Sequence, residues 1–296
     1  MKMKNITINY SLGGTLCAGA MLLMAASAHG QNLFAAFYDT GNIYEIAPDG
    51  SQTTFATGMN GPSWLAFNGA GDLFVANAAG NGPGGNITEI TPGGIQSTFA
   101  SGVDPQALVF NNAGNLFEAD YNSGNIYKFT PGGLQSTFAT GFDTPISLTI
   151  NNAGDLFVGS GYGNGNGIIT EITPGGTQST FASGLTFPAG LAFNSAGDLF
   201  EVDEGSGNIN EFTPGGVEST FASVNGPDRL AFDSAGNMFV TTFSGPIIKI
   251  TPDGTQSTFA TESGIGTGLA FQTVPEPSTF ALLGVGVAAI LARRRK

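Results

Sequence analysis

The stretch LAFNSAGDLFEVDEGSGNINEFTPGGVESTFA at residues 191–222 decides the fold. It holds four short apolar runs separated by turn residues: Leu191 to Phe193, Leu199 to Asp203, Asn208 to Phe212 and Ser219 to Ala222. Asn194 to Asp198 supplies residues that accept positive φ, and Thr213-Pro214-Gly215-Gly216 supplies a proline that presets the first turn angle and a glycine that takes the left-handed one. Short apolar runs bounded by such turn residues predict strands. Four strands joined by tight reversals predict one antiparallel sheet with no room for a helix.

The same grammar recurs along the chain. Phe34, Phe74, Phe117, Phe157, Phe200 and Phe239 occupy equivalent positions in six modules of about 40 residues, the repeat length of propeller blades or solenoid coils. First strands of the Leu-Ala-Phe type recur at 65–67, 108–110, 148–150, 191–193, 230–232 and 269–271. The ends choose between a ring and an open stack. The repeats begin at a second strand, Leu33 to Phe37, and finish on an unpartnered first strand, Leu269 to Phe271. That offset predicts a closed six-bladed β-propeller, because the last strand completes the opening blade and removes exposed sheet edges.

Outside the repeats the chain reads as an address. Lys2 and Lys4, an apolar stretch from Leu12 to Ala26 and the small residues Ala26-Ser27-Ala28 predict a signal peptide over 1–30. Cys17 invites a lipoprotein reading, but the bulky Leu16 precedes it. Cleavage after Ala28 removes the only cysteine, and the only histidine, His29, lies beside the cut. The body at 31–273 therefore has neither disulfides nor a Cys/His zinc site to offer. It carries three basic and 21 acidic residues, a net charge of −18, which argues against a nucleic-acid partner.

The tail at 274–296 has three physically different parts: Pro275-Glu276-Pro277, an uncharged apolar run from Phe280 to Ala292, and the basic end Arg293, Arg294, Arg295 and Lys296. Thirteen helical residues span roughly 20 Å, short of a bilayer core of about 30 Å, so a short transmembrane helix here suits transient insertion in the inner membrane. The basic cluster stays on the cytoplasmic side and leaves the repeats outside. This order of parts resembles the PEP-CTERM sorting signal of Gram-negative bacteria. The resemblance implies an exosortase-type membrane protease as partner, release to the cell surface or extracellular matrix, and an association with exopolysaccharide or envelope proteins. A plain C-terminal anchor is the alternative.

The blade grammar is similar to that of NHL-repeat propellers and their gluconolactonase-type relatives. That resemblance implies a metal-dependent lactonase, or a lyase of the streptogramin type, as one functional reading. Gluconolactonase-type relatives use a Glu/Asn/Asp metal set and the lyases a catalytic histidine. At the start of the innermost strands this chain has Ser63, Gln106, Ile146, Ala189, Asp228 and Thr267, followed by Trp64, Ala107, Ser147, Gly190, Arg229 and Gly268, and neither set maps onto them. No catalytic residue is assigned.

Up-and-down strands put the NxAGD-type and TPGG-type turns on one face and the loops that vary between modules on the other, which makes the variable face the expected binding side. Trp64, Tyr121, Phe142, Tyr162, Phe187 and Phe243 belong in or beside its loops and form a candidate glycan or partner platform, core packing being the alternative. Asp120, Asp203 and Asp228 are metal candidates: Glu118, Glu201 and Glu204 would help Asp120 and Asp203 hold calcium near the outer face, and Asp228 is the carboxylate at the pore where the rival enzyme would bind a divalent ion. For Asp120 and Asp203 the other reading is a turn carboxylate that accepts backbone N–H groups. Modules two and four share long Gly/Asn loops and modules three and five share Leu-Phe-Glu-x-Asp, which suggests a two-blade duplication. The sequence thus favours an exported, non-enzymatic binding or scaffold propeller, with a hydrolytic propeller enzyme as the rival.

Overall fold

A computed structural model describes residues 31–78, 84–161, 165–261 and 264–272. The predicted leader at 1–30, the tail at 273–296 and Tyr162 lie outside the described residues. The described residues are all-β: 24 strands in six four-stranded antiparallel sheets, arranged as a six-bladed propeller. Blades two to six take their strands in chain order, from the channel outward: β4 to β7 (62–103), β8 to β11 (105–140), β12 to β15 (147–185), β16 to β19 (188–223) and β20 to β23 (227–261).

Blade one closes the ring as the offset requires. Its innermost strand is β24 (Gly266–Phe271), paired antiparallel with β1 (Leu33–Phe37), followed by β2 (Asn42–Ile46) and β3 (Gln52–Ala56). The register sets Leu33 against Phe271 and Ala35 against Leu269. Gln272 donates its backbone N–H to the Asn32 carbonyl at 3.3 Å, so both ends of the propeller leave from the face carrying the NxAGD and TPGG turns.

The landmark phenylalanines hold neighbouring blades together. Each packs edge-on against the strand-four phenylalanine of its own blade, as Phe34 does with Phe55 and Phe157 with Phe181, at 4.9 and 5.1 Å between centroids. In five of the six interfaces a phenylalanine on the innermost strand of the next blade completes a triad, as Phe193 does for Phe157 at 5.0 Å. Ile150 takes that place between blades three and four. Edge-to-face pairs add about 0.5–1.5 kcal/mol to the area they bury. Near the channel, hydroxyls link consecutive blades: Thr267 donates to the Pro62 carbonyl, Ser63 to that of Pro105 at 2.9 Å and Ser147 to that of Pro188 at 2.7 Å.

Candidate functional site

The channel-facing strands bring residues of blades six, one and two into one cluster. β20 (Pro227–Phe232) carries Asp228 and Arg229, and Arg229 donates from its guanidinium to the Asp228 carboxylate. The side chains are 5% and 10% exposed, and theirs is the one ion pair among the described residues. Burial pushes the Asp228 carboxyl up, and the adjacent guanidinium partly offsets this. Across blade one, where the innermost strand has Gly268 and so presents no side chain, Arg229 reaches the indole of Trp64 on β4 (Pro62–Phe67), 5.1 Å from the ring centroid. A Cβ at Gly268 would come within 3.3 Å of the Trp64 backbone, so the glycine also lets these strands approach. Nε of Arg229 is buried without a hydrogen-bond partner.

Glu204, directly after β17 (Leu199–Asp203), lies close enough to this pair to feel it. Its carboxyl is raised to about 7, first by burial and then by Asp228, with Arg229 opposing. Glu204 belongs to a ring of equivalent positions. The residue directly after each second strand donates its N–H to a carbonyl of the loop leading into the innermost strand: Tyr38 to Ile265, Ala78 to Gly61, Tyr121 to Asp104, Gly161 to Asp143, Glu204 to Phe187 and Phe243 to Gly226. On the variable face this ring of positions carries Tyr38, Tyr121, Phe243 and one carboxylate, with Tyr38 and Phe243 39% and 42% exposed.

The structure separates the six aromatics named from the sequence. Trp64 lies on a channel-facing strand beside Arg229, and Tyr121 and Phe243 stand on the variable face. Phe142 packs instead on the core between blades three and four. Phe187 is half-buried, its carbonyl taken by the N–H groups of Ala189 and Glu204. Tyr38 was missed, although lining up the residues that follow each second strand would have found it.

Asp120 accepts N–H groups from Asp104 and Ser123 at 2.9 Å, and Asp203 those of Thr186, Phe187 and Ser206 at 3.0 to 3.3 Å. Both carboxylates fasten the variable-face loops. Glu118 and Glu201, expected near the outer face, are instead fully buried. Strand parity is the reason: two residues before Asp120 and Asp203, they point into the interface with the preceding blade, where modules two, four and six have Val75, Val158 and Val240. Neither Glu118 oxygen has a partner, whereas Glu201 accepts one bond from Asn210 at 3.0 Å. Burial, reinforced by Asp120 and Asp203 respectively, pushes both carboxyls well above the usual range. Among the described residues no three His, Cys, Asp or Glu side chains converge on one point where a metal ion would sit. In the channel the Arg229 cation already lies beside Asp228, so these residues do not fit a resident divalent ion.

Comparison with known proteins divides the chain in two. Residues 273–296 match the PEP-CTERM protein-sorting motif. The chain therefore carries an export and cell-surface sorting signal, of the kind processed by an exosortase. For the body, no curated protein sequence matches. Solved structures do. A protein assigned as a gluconolactonase superposes with a TM-score of 0.60 at 17% identity, covering 71% of this chain and 81% of its own. A streptogramin B lyase gives 0.61 at 16%, covering 82% and 87%. Virginiamycin B lyase from Staphylococcus aureus gives 0.57 at 15%, covering 77% and 83%. At such identities the likeness establishes the propeller and leaves the chemistry open.

Proposed function

We propose that this PEP-CTERM propeller is a binding protein of the cell surface or extracellular polysaccharide matrix, whose ligand seats at the variable-face mouth of the channel. The observation that carries this reading is the Asp228–Arg229 pair beneath Trp64: the channel carboxylate is already neutralised by the chain's own cation. Around it, Tyr38, Tyr121 and Phe243 offer faces on which sugar rings stack. Since both ends leave from the opposite face, a chain held by its tail presents this mouth away from the membrane.

The experiment is twofold. Fractionated cells should show the processed protein with envelope and matrix, and titration with purified exopolysaccharide fragments should change the emission of Trp64, the single tryptophan. Protein found wholly free in the medium, with no response of Trp64, would sink the reading. A second reading rests on Glu204: a carboxyl near 7 beside a buried ion pair suits acid–base work of the lyase kind. Turnover of lactone or cyclic depsipeptide substrates that vanishes in Glu204→Gln would replace the binding role with an enzymatic one.

A further inference from the structure

The face from which the ends depart carries a second type of site. Between blades four and five lies a groove of about 890 Å³, with Glu171, Thr180 and Phe181 on one wall and Phe193, Thr213 and Pro214 on the other. Between blades two and three a smaller groove of about 440 Å³ repeats it with Glu89, Thr98 and Phe99 facing Phe110, Thr130 and Pro131. The landmark residues Phe157 and Phe74 line the two grooves, directly across the strand pair from Glu171 and Glu89. Both glutamates are half-buried, and among the described residues neither meets a protein hydrogen-bond donor or cation.

The chain itself shows what suits this position. In blades three and six the equivalent residues are Lys128 and Lys249, each opposite its landmark phenylalanine. Their ammonium groups lie over the rings of Phe117 and Phe239, 6.0 and 5.6 Å from the centroids. An alkylammonium over a phenyl ring is attracted by the ring quadrupole, and a neighbouring carboxylate strengthens the attraction. In blade one the equivalent Glu45 is already taken, accepting a hydrogen bond from Asn32 at 2.6 Å, and in blade five Glu211, opposite Phe200, lines neither groove. The grooves beside Glu89 and Glu171 thus combine the ring, a free carboxylate and open volume.

We propose that these two grooves are paired receptor sites for lysine side chains of a partner polypeptide, each ammonium lying between the glutamate and the phenylalanine as Lys128 and Lys249 lie over theirs. Two like sites on an anionic body favour a partner with two spaced lysines, for which the second contact is intramolecular. The proposal is independent of the channel reading.

The test uses the full chain in non-ionic detergent and a glycine–serine peptide carrying one lysine, with binding followed by calorimetry. Two sites per chain are expected. Glu89→Gln and Glu171→Gln should each weaken one site about tenfold, the loss of one charge-assisted contact. Glu171→Lys should fill its groove and leave a single site in a chain that still folds, since blades three and six already hold lysine there. A two-lysine peptide should bind more tightly than the single-lysine form. Equal binding of the Nε-acetylated peptide would overturn the proposal. So would an equal loss in Glu218→Gln, an exposed acid outside both grooves, because that result means diffuse attraction to the anionic surface.

Discussion

Replacing Arg229 by alanine gives the sharpest test of the channel. The substitution takes the counter-ion from an Asp228 carboxyl that is 5% exposed in the intact pair, and removes the guanidinium from Trp64. Breaking one partner out of a buried pair costs about 3–5 kcal/mol. For a domain of this size each kcal/mol lowers Tm by roughly 2–4 °C, so a fall of about 6–20 °C is expected at pH 7. Circular dichroism and Trp64 fluorescence should report it together. The double variant Asp228→Asn, Arg229→Met should recover most of the loss, since it removes both charges and keeps the volume. Acid should also help the single variant. Asp228 has a raised folded-state pKa, so the folded protein holds that proton more tightly than the unfolded chain, and stability rises as pH falls from neutrality through that pKa towards the unfolded value of about 4. A fall of less than about 3 °C at pH 7, or a double variant no better than the single one, would refute the reasoning.

Glu118→Val and Glu201→Val install the residue that alternate blades already use; the first should stabilise by roughly 1–3 kcal/mol in urea titration, and the second by less, because it leaves the buried Asn210 amide without its acceptor. The gain should be larger at pH 8 than at pH 5, because both glutamates have raised folded-state pKa values and destabilise the fold increasingly as pH climbs above the unfolded value. Truncation before Gly266 deletes β24 and leaves β1 as an open edge; the expected result is loss of the cooperative transition and aggregation in size-exclusion chromatography. Gly124→Ala combines a φ of +65° with a Cβ 2.3 Å from the Phe142 carbonyl oxygen, whereas Gly133→Ala has a φ of +78° and no contact nearer than 4.0 Å. The first should cost more than the roughly 1–2 kcal/mol of left-handed strain and the second about that amount, compared by chemical denaturation.

The sequence by itself determined the sorting tail, the blade count and the closing strand, because each is written in local chemistry: an ordered run of proline, apolar and basic residues, and a turn grammar repeated six times with its ends offset by one strand. Asp120 and Asp203 as turn acceptors were legible for the same reason. Only the tertiary structure decided which of these residues meet. Arg229 reaches Trp64 because the ring of blades curves them towards each other across Gly268, a relation that no spacing along the chain encodes. Glu118 and Glu201 were placed on the wrong side because burial depends on which neighbour a strand face meets. The paired grooves emerge at the seams between modules, where two repeats supply one wall each, so a reading that takes each module alone cannot see them.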